Sequence, residues 1–293
     1  FDAERIYIMA TVPRVSVDGG KTLERWLNNN VHVDCHAAWV DPQNPRHMLQ
    51  GNDGGIYESF DRGTTWRFVQ NLPVAQFYRV SVDNSQPFYY VYGGTQDNNT
   101  VGGPSRTTSS NGIQNSDWFI TIGGDGFKSQ IDPTNPAIVY SQYQYGGLAR
   151  YDRTTGEVLD VRPIEAKGEP PLRWNWDAPL IISQHNPQRL YFGANRLYRS
   201  DDRGESWTPV SGDLTRQLER NQLPVMGKVW GIDAVAKNAN TAIYGNISYV
   251  SESPLNEGVL YVGTDDGLVQ VTEDGGKTWT KYEKLPGIPE RAY

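Results

Sequence analysis

The sequence has very little cysteine: Cys35 is the only one among 293 residues, so no disulfide can form within the chain. No stretch comes near the ~20 consecutive apolar residues that a membrane-spanning helix requires. Residues 1–13 lack the basic region and the apolar core of a signal peptide. The chain itself is therefore expected to be soluble and to contain no targeting segment.

The sequence also lacks an excess of positive charge. It has 27 basic and 34 acidic residues, and the net charge of −7 is spread along the chain rather than gathered in blocks. Nucleic acids and anionic membranes select clustered Lys and Arg. We therefore predict no nucleic-acid partner and no membrane insertion, and expect a polysaccharide, peptide, protein or cation as ligand.

Turn-forming residues are abundant, with 30 glycines and 18 prolines, and this indicates an all-β fold. Four segments repeat the pattern S/T-x-D-x-G-x-x-W, which we call the Asp-turn motif. They are Ser16–Leu23, in which Leu replaces Trp, Ser59–Trp66, Ser200–Trp207 and Thr272–Trp279. Aspartate bonds nearby backbone N–H groups, glycine accepts a positive φ, and tryptophan anchors the turn in the core. Structural roles are therefore predicted for Asp18, Asp61, Trp66, Asp202, Trp207, Asp274 and Trp279, with the tryptophans largely buried.

A second recurring segment, an Asn-Pro or Ser-Pro turn, precedes three of these motifs and also lies ahead of a degenerate one at Asp152. It occurs at Val40–Pro45, Ile131–Pro136, Ser183–Pro187 and Ser251–Pro254. Each repeat then reads as four short antiparallel strands, A to D, about every 45 residues, which is the pattern of a propeller blade. We predict an all-β propeller of about five complete blades plus a partial one, with about half of its residues or more in strands.

The repeats predict one β-propeller segment over 1–293. Its parts are a partial blade 1–30, blades at about 31–73, 74–121, 122–163, 173–212 and 245–284, and an inserted connection 214–245. The second full blade lacks an Asp-turn motif, and a loop over 98–115 is predicted in its place. The inserted connection is expected to be ordered and to pack beside the channel mouth. Because an unpaired edge strand invites pairing, the remaining blades are expected from a longer chain or another subunit.

The Asp-turn motifs and the surrounding segments resemble the Asp-box (BNR) propellers of the sortilin/VPS10-like superfamily, and most closely its large bacterial secreted, glycosyl-hydrolase-like members. Specific segments are His32–His36, Gly51–Gly55, Tyr92–Asn98, Gly123–Gly126, Leu223–Met226 and Asp233–Lys237. The resemblance implies a secreted, periplasmic or cell-surface protein. It does not supply an activity, because the group includes hydrolases and non-catalytic receptors, and the fold alone does not decide between them.

In a blade, the B–C turns and D–A connections emerge at the same strand ends, so polar residues there are candidates for a site at the channel mouth. The predicted ligand-binding residues are His32, His36, Asn52, Gln96, Asn98, Arg173, Trp176, Asn195, Arg196 and Asp265. The alternative is that the Asn and Asp residues only form turns. Trp174, Tyr143, Tyr145 and Trp230 lie in or beside connections too, where a ring could stack on a sugar or a peptide side chain.

A cation site is a further hypothesis. His32, Asp34 and His36 alternate with Val33 and Cys35, so in a strand they would share one face, and Asp53 could add a ligand. Oxygen-rich ligation favours Ca²⁺ as the cofactor. A hydrogen-bonded polar cluster without metal is the competing interpretation. Cys35 faces the other way and is predicted to be a small buried filler.

Hydrolysis is the alternative to plain binding. Glycosidases need two carboxylates, ~5–5.5 Å apart for retention or ~6.5–9.5 Å for inversion. Asp34, Asp53, Asp97 and Asp125 are the candidate catalytic residues, and their sequence spacing cannot choose a pair. A sialidase is disfavoured because too few arginines are available. We therefore predict a ligand- or protein-binding scaffold whose ligand the sequence does not name, with a xyloglucanase-like polysaccharide hydrolase as the alternative.

Overall fold

The computed structural model describes residues 2–27, 30–72, 74–235, 237–238 and 243–288. The fold is all-β, with 34% strand and 2% helix, and the helical part consists of two 3-10 turns, Asn115–Asp117 and Arg220–Gln222. The predicted strand content of half or more is too high. The strands are only two to six residues long, so the turns and connections between them take most of the chain. Within the described ranges, no helix has the length and apolarity needed to cross a membrane.

The chain divides into two compact units. Unit 1 contains residues 1–76 and 96–98, and unit 2 contains residues 77–95 and 99–293. Each unit is built from antiparallel sheets whose strands follow one another in chain order.

Unit 1 contains two sheets. Sheet I has strands β1 (Ile6–Ile8), β2 (Arg14–Ser16) and β3 (Glu24–Arg25), and sheet II has β4 (Cys35–Val40), β5 (Met48–Asn52), β6 (Gly55–Ser59) and β7 (Arg67–Phe68). The buried side chains of Leu27, Val31, Cys35 and Tyr57 form the core of this unit. Leu27 and Val31 lie in the connection between the sheets, so this connection is part of the core.

Unit 2 contains four sheets of four strands each. Sheet III has β8 (Arg79–Val82), β9 (Tyr90–Gly94), β10 (Thr100–Pro104) and β11 (Phe119–Ile122). Sheet IV has β12 (Gln130–Ile131), β13 (Ile138–Tyr143), β14 (Gly147–Asp152) and β15 (Glu157–Asp160). Sheet V has β16 (Leu180–Ile182), β17 (Leu190–Gly193), β18 (Leu197–Ser200) and β19 (Thr208–Pro209), and sheet VI has β20 (Ile247–Glu252), β21 (Leu260–Thr264), β22 (Val269–Thr272) and β23 (Thr280–Tyr282).

The sheets of unit 2 pack on their sequence neighbours. Tyr140 and Leu148 of sheet IV share a buried cluster with Leu190 and Phe192 of sheet V. On the other side of sheet V, Tyr191 and Leu197 share a second cluster with residues of sheet VI that include Ile247. Strand β17 is buried along its whole length, because alternate side chains of one strand fill the cores on both faces of its sheet.

All four Asp-turn motifs form the same hydrogen-bonded turn. In Ser59–Trp66, the Asp61 Oδ1 atom accepts from the Thr65 N–H at 2.8 Å, and Oδ2 accepts from the Thr65 hydroxyl at 2.6 Å. The Ser59 hydroxyl donates to Asp61 and accepts from the Gly63 N–H. The equivalent bonds occur at Asp18, Asp202 and Asp274. The hydroxyl residue just before the tryptophan position is thus part of the motif, although the sequence pattern leaves it unspecified.

Within unit 2, two of these turns also contact the preceding sheet through their tryptophans. The Trp207 indole N–H donates to the Val161 carbonyl at 2.6 Å, and the Trp279 indole N–H donates to the Val210 carbonyl at 3.1 Å. The prediction of largely buried tryptophans is only partly met, because Trp66, Trp207 and Trp279 are all half-buried. Each ring lies at the end of its sheet, so part of it contacts the neighbour and part faces solvent.

Sheet III differs from its prediction. Residues 100–104 lie in the segment predicted as a loop, but they form β10, which pairs with both β9 and β11. The glycines that suggested a loop fit close packing instead: a Cβ atom on Gly102 would lie 2.8 Å from the Tyr92 and Phe119 rings, and one on Gly103 2.5 Å from the Trp118 ring. Glycine in a strand often marks such an approach.

The inserted connection is described only in part, because residue 236, which also interrupts the segment 233–237, and residues 239–242 lie outside the described ranges. Its first residues bind sheet VI: the Arg216 N–H donates to Asp266 at 2.6 Å, and its guanidinium donates to the Asp266 carbonyl at 2.8 Å. An isolated bridge joins Val225 and Lys228. The predicted ordered excursion remains a prediction for the connection as a whole.

Candidate functional site

The first candidate site lies in unit 1, where the predicted strand face is wrong. His32 and Asp34 precede β4, which begins at Cys35, and Asp34 has a left-handed backbone with φ 60. The register of β4 shifts between Cys35 and Ala37, so His36 is the extra residue of a β-bulge. Alternation therefore does not place these three side chains on one strand face. The bulge reorients His36 instead.

The bulged histidine reaches the B–C turn of its own sheet. The His36 Nε2 atom lies 2.5 Å from Asp53 Oδ1, although the His36 side chain is 71% exposed. Asp34, Asp53 and Asp97 each bring a carboxylate oxygen within 4.8 Å of the others. A hydrogen bond from Asp97, and then one from His36, hold the pKa of Asp53 below its ordinary value despite partial burial. Asp53 is therefore ionised at neutral pH.

The predicted metal-ligand set of His32, Asp34, His36 and Asp53 is not the set that the structure groups together. Asp97 joins Asp34 and Asp53, whereas the His32 Nδ1 atom lies 3.0 Å from the Val33 carbonyl oxygen. Asn52 also serves the backbone, because its amide donates to the His32 carbonyl at 3.0 Å. The three carboxylates present oxygen ligands of the type that Ca²⁺ accepts. Calcium at this cluster remains a prediction.

The neighbouring polar residues of unit 1 stabilise its turns. The Asn98 amide donates to the Asp53 carbonyl at 2.7 Å and to the Gln96 carbonyl at 3.1 Å.

Cys35 is buried, and its sulfur accepts a hydrogen bond from Gln50. Burial is the main cause that raises the pKa of the Cys35 thiol to about 11. Cys35 therefore stays protonated and is a buried core residue.

The remaining predicted site residues lie in unit 2, and Arg173 and Asn195 are tied into one network. The Arg173 guanidinium donates to Asp213 Oδ2 at 2.8 Å and to the Gly245 carbonyl at 2.8 Å. The Asn195 amide also donates to Asp213, at 3.0 Å. Burial raises the pKa of Asp213, but hydrogen bonds from Thr215, Arg173 and Asn195 lower it by more than burial raises it. The net shift of the pKa is therefore downward. The arrangement fixes the connection that carries Arg173.

Arg196, Asp125 and Asp265 also have internal partners. Arg196 forms an ion pair with Glu169 at 3.1 Å, and Asp125 is buried, with its N–H donating to Gln144. Asp265 Oδ1 accepts from the N–H groups of Gly245 and Asn246. Burial nevertheless raises the pKa of Asp265 to about 6.

An aromatic pair forms the second candidate site. The rings of Tyr145 and Trp176 meet edge to face, with centroids 4.9 Å apart. Tyr145 is 39% exposed. Its backbone is left-handed, with φ 59. Next to Trp176, Asp177 Oδ2 accepts from Arg79 Nε at 3.2 Å. Burial raises the pKa of Asp177, and Arg79 offsets only part of that shift. Trp174 instead packs on Phe192 in the core.

Sequence reasoning missed the Arg79–Asp177 pair. Its members are 98 residues apart, and no motif contains Arg79, so no local signal identifies the contact. We call the exposed surface of Tyr145 and Trp176 with this pair the aromatic site. It combines ring edges and faces with a carboxylate and a guanidinium, the groups that bind sugar hydroxyls and polar peptide groups.

The candidate catalytic carboxylates are divided between the two units, and their catalytic roles stay predictions. Asp125 belongs to unit 2, whereas Asp34, Asp53 and Asp97 belong to unit 1. Each unit 1 carboxylate brings one oxygen within 4.8 Å of the others, a contact shorter than the ~6.5–9.5 Å separation of an inverting glycosidase and close to the ~5–5.5 Å of a retaining one. A general acid must be protonated at the working pH. Asp53 is therefore poorly suited to that role, because its pKa is lowered.

No protein-family model matches the chain, and no curated protein matches it in sequence. Among solved structures, it is similar to a GH74 xyloglucanase from Xanthomonas campestris, with 17% identity and a TM-score of 0.41 over 94% of this chain and 44% of the enzyme. An extracellular domain from Bacteroides thetaiotaomicron has 12% identity and a TM-score of 0.44 over 95% of this chain and 32% of the other. An auxiliary nutrient-binding protein from the same species has 14% identity and a TM-score of 0.41 over 85% and 57%.

The chain spans less than half the length of the first two of these structures. At these identities and TM-scores, the similarity is too weak to define a family or an activity for this chain. The described structure by itself defines an all-β protein made of repeated antiparallel sheets.

Proposed function

We propose that the protein is an extracytoplasmic β-propeller of the Asp-box type that acts as a binding scaffold, and that the aromatic site of unit 2 holds a polysaccharide ligand. The repeated four-stranded sheets and the four identical Asp-turns support the propeller assignment. The resemblance of those motifs to secreted propellers supports the location. Sheet VI leaves Tyr249, Tyr261 and Tyr282 exposed, a surface that a further sheet from a longer chain or another subunit would cover.

The backbone of Tyr145 carries the functional part of the proposal. A left-handed conformation costs an ordinary residue about 1–2 kcal/mol, whereas Asn and Gly adopt it readily. A tyrosine at this position therefore makes the fold less stable than an asparagine would. Its ring, however, packs against Trp176, which asparagine could not do. Strained residues of this kind concentrate at functional sites. The exposed Tyr145 ring packs edge to face on Trp176, and the next residue along the chain, Asp177, is paired with Arg79. This combination suits a sugar, because a sugar ring stacks on aromatic rings while its hydroxyls bond charged groups.

Binding rather than hydrolysis is favoured at this site. Asp177 is paired with Arg79, and catalysis would need a second carboxylate facing the same sugar. The described contacts of Asp177 are with Arg79, Asn175 and Lys128, none of which is acidic. A reducing-sugar assay on the bound polysaccharides is therefore expected to show no release.

Tyr145→Asn is the sharpest variant for this proposal. Because Asn suits the left-handed backbone, the melting temperature should stay the same or rise, while binding on a glycan array and by tryptophan fluorescence should be lost. Trp176→Ala should also lose binding. The control is Trp39→Ala, which removes an exposed indole, 47% accessible, from sheet II of unit 1. Unchanged binding by Tyr145→Asn, or equal loss by the control, would refute the assignment.

A further inference from the structure

A cavity lies between sheets III and IV of unit 2. It is at the strand ends opposite to those that carry the aromatic site. Its volume is 450 Å³, within the usual range of ~300–1,000 Å³ for small-molecule sites. It is formed by the turn between β8 and β9, the residues that follow β10, and the turns before β13 and after β14. Its lining includes Ser85, Phe88, Tyr90, Arg106, Arg153 and three prolines.

The walls of this cavity are held in place by hydrogen bonds, most of which involve side chains. The buried Asp83 carboxylate accepts from the Tyr90 N–H at 2.7 Å and from the Ser85 hydroxyl at 2.8 Å. The Ser105 N–H donates to the Tyr89 carbonyl at 2.9 Å. The Asn84 amide reaches across to the Pro133 carbonyl of sheet IV at 2.7 Å. The cavity is therefore preformed, which lowers the entropic cost of binding.

The charge of the cavity is opposite to that of the protein. The chain has a net charge of −7, yet two arginines and no acidic residue are among the described residues that line this cavity. The Arg153 guanidinium lies 4.0 Å from the centre of the Tyr90 ring and 3.5 Å from Asp83, so its position is fixed. Arg106 is exposed and, in the described part of the chain, forms no ion pair. Its fork of donors remains available to a ligand.

We propose that this cavity binds a small molecule with a carboxylate on a six-membered ring, which is either a uronic acid or an aromatic acid. Arginine binds carboxylates through two parallel hydrogen bonds, and Arg106 is placed to make them. Phe88 and the three proline rings offer apolar surface to the body of the ligand. Because Arg153 is already paired with Asp83, the charge that attracts the anion is that of Arg106, whereas the acidic remainder of the protein repels it.

Four probes in matched pairs test this site: glucuronate against glucose, and benzoate against benzamide. Saturation-transfer NMR and calorimetry should show binding of at least one carboxylate and of neither neutral partner. Binding of glucuronate alone identifies a sugar acid, and binding of benzoate alone identifies an aromatic acid. Binding of both supports recognition of the shared carboxylate. Equal binding of a carboxylate and its neutral partner, or no binding of either carboxylate, would overturn the proposal.

Arg106→Gln should weaken carboxylate binding by about tenfold or more, which is the usual effect of losing a hydrogen bond to a charged group. Because Arg106 is exposed, the melting temperature should not change. Arg162→Gln is the matched control, since Arg162 is also exposed and lies outside the cavity. Tyr145→Asn should leave carboxylate binding unchanged, so this site and the aromatic site fail independently. If Arg106→Gln retained full affinity, the cavity would not be the carboxylate site.

Discussion

At the scale of single residues, the glycine of each Asp-turn motif shows how closely neighbouring sheets approach. Gly204 and Gly276 have φ values of +88 and +96. A Cβ atom on Gly204 would lie 3.2 Å from the Val161 side chain, whereas one on Gly276 would lie 2.3 Å from the Val210 backbone oxygen. At Gly204 the neighbour must give by only a few tenths of an ångström, whereas at Gly276 a backbone oxygen in a packed sheet would have to move much further.

Alanine at these glycines should therefore destabilise the protein unequally. We expect Gly276→Ala to lower the free energy of unfolding more than Gly204→Ala does, with each loss exceeding the ~1–2 kcal/mol of the left-handed backbone alone. Gly156→Ala is the control, because Gly156 has φ +76 and no atom near its Cβ position. Urea denaturation measures all three. Equal losses for Gly276 and Gly156 would show that the sheet contact contributes nothing.

At the scale of elements, sheets III and IV are joined by an ion pair, and sheets IV and V are joined by a pair of the same kind. In both, the turn after the first strand of one sheet carries a buried aspartate, and an arginine follows the motif aspartate, or its degenerate equivalent Asp152, in the next sheet. Arg203 Nε thus lies 2.7 Å from Asp132 Oδ2, and Arg153 Nη1 lies 3.5 Å from Asp83 Oδ2. Both aspartate side chains are 0% exposed. Burial raises the pKa of Asp132, but hydrogen bonds from Thr134 and Arg203 outweigh this, so the net shift is downward.

Removing the arginine should leave a buried charge without its partner. Arg203→Met is expected to destabilise the fold by about 3 kcal/mol or more, because it keeps an apolar stem but removes the cation that pairs with the buried Asp132 carboxylate. The double variant Arg203→Met with Asp132→Asn should recover part of the loss. Thermal and urea unfolding measure both. If the single variant melted like the wild type, the ion pair would not join the sheets.

At the scale of the whole molecule, the four Asp-turns predict how stability depends on acid. Hydrogen bonds from Thr22, Thr65 and Thr278 lower the pKa values of Asp18, Asp61 and Asp274 to about 2, and those from Ser206 lower the pKa of Asp202. A carboxyl with a lowered folded pKa adds stability that is complete above its unfolded value near 4. That stability is lost as the pH falls through the folded value.

We therefore expect the free energy of unfolding to decline steeply between about pH 4 and pH 2. Replacing Asp61 with Asn should lower stability at neutral pH and flatten this decline. Asp265 acts in the opposite direction, because its pKa is raised to about 6: its contribution falls as the pH rises from about 4 to 6. Asp265→Asn should remove that second dependence. Urea titrations at several pH values separate the two, and an unchanged acid profile for the Asp61 variant would contradict the prediction.

The sequence by itself determined the repeat and its turns. In each Asp-turn motif the bonds link residues no more than four positions apart, so residue types at fixed spacing are enough to specify them. The order of short antiparallel strands follows from the same local signals. Even so, the sequence did not predict β10, because its glycines are typical of a loop. In the structure these glycines are needed for close packing against the rings of Tyr92 and Trp118.

Only the tertiary structure decided which polar side chains meet. A bulge at His36, invisible in the alternation of residues, sends this ring to Asp53, and Asp97 joins the cluster from a turn more than forty residues away. Arg79 meets Asp177, and Arg106 shares a cavity with Arg153, through the packing of one sheet on the next. Such contacts depend on how whole sheets pack on one another. The residue types in a local segment of sequence do not predict that packing.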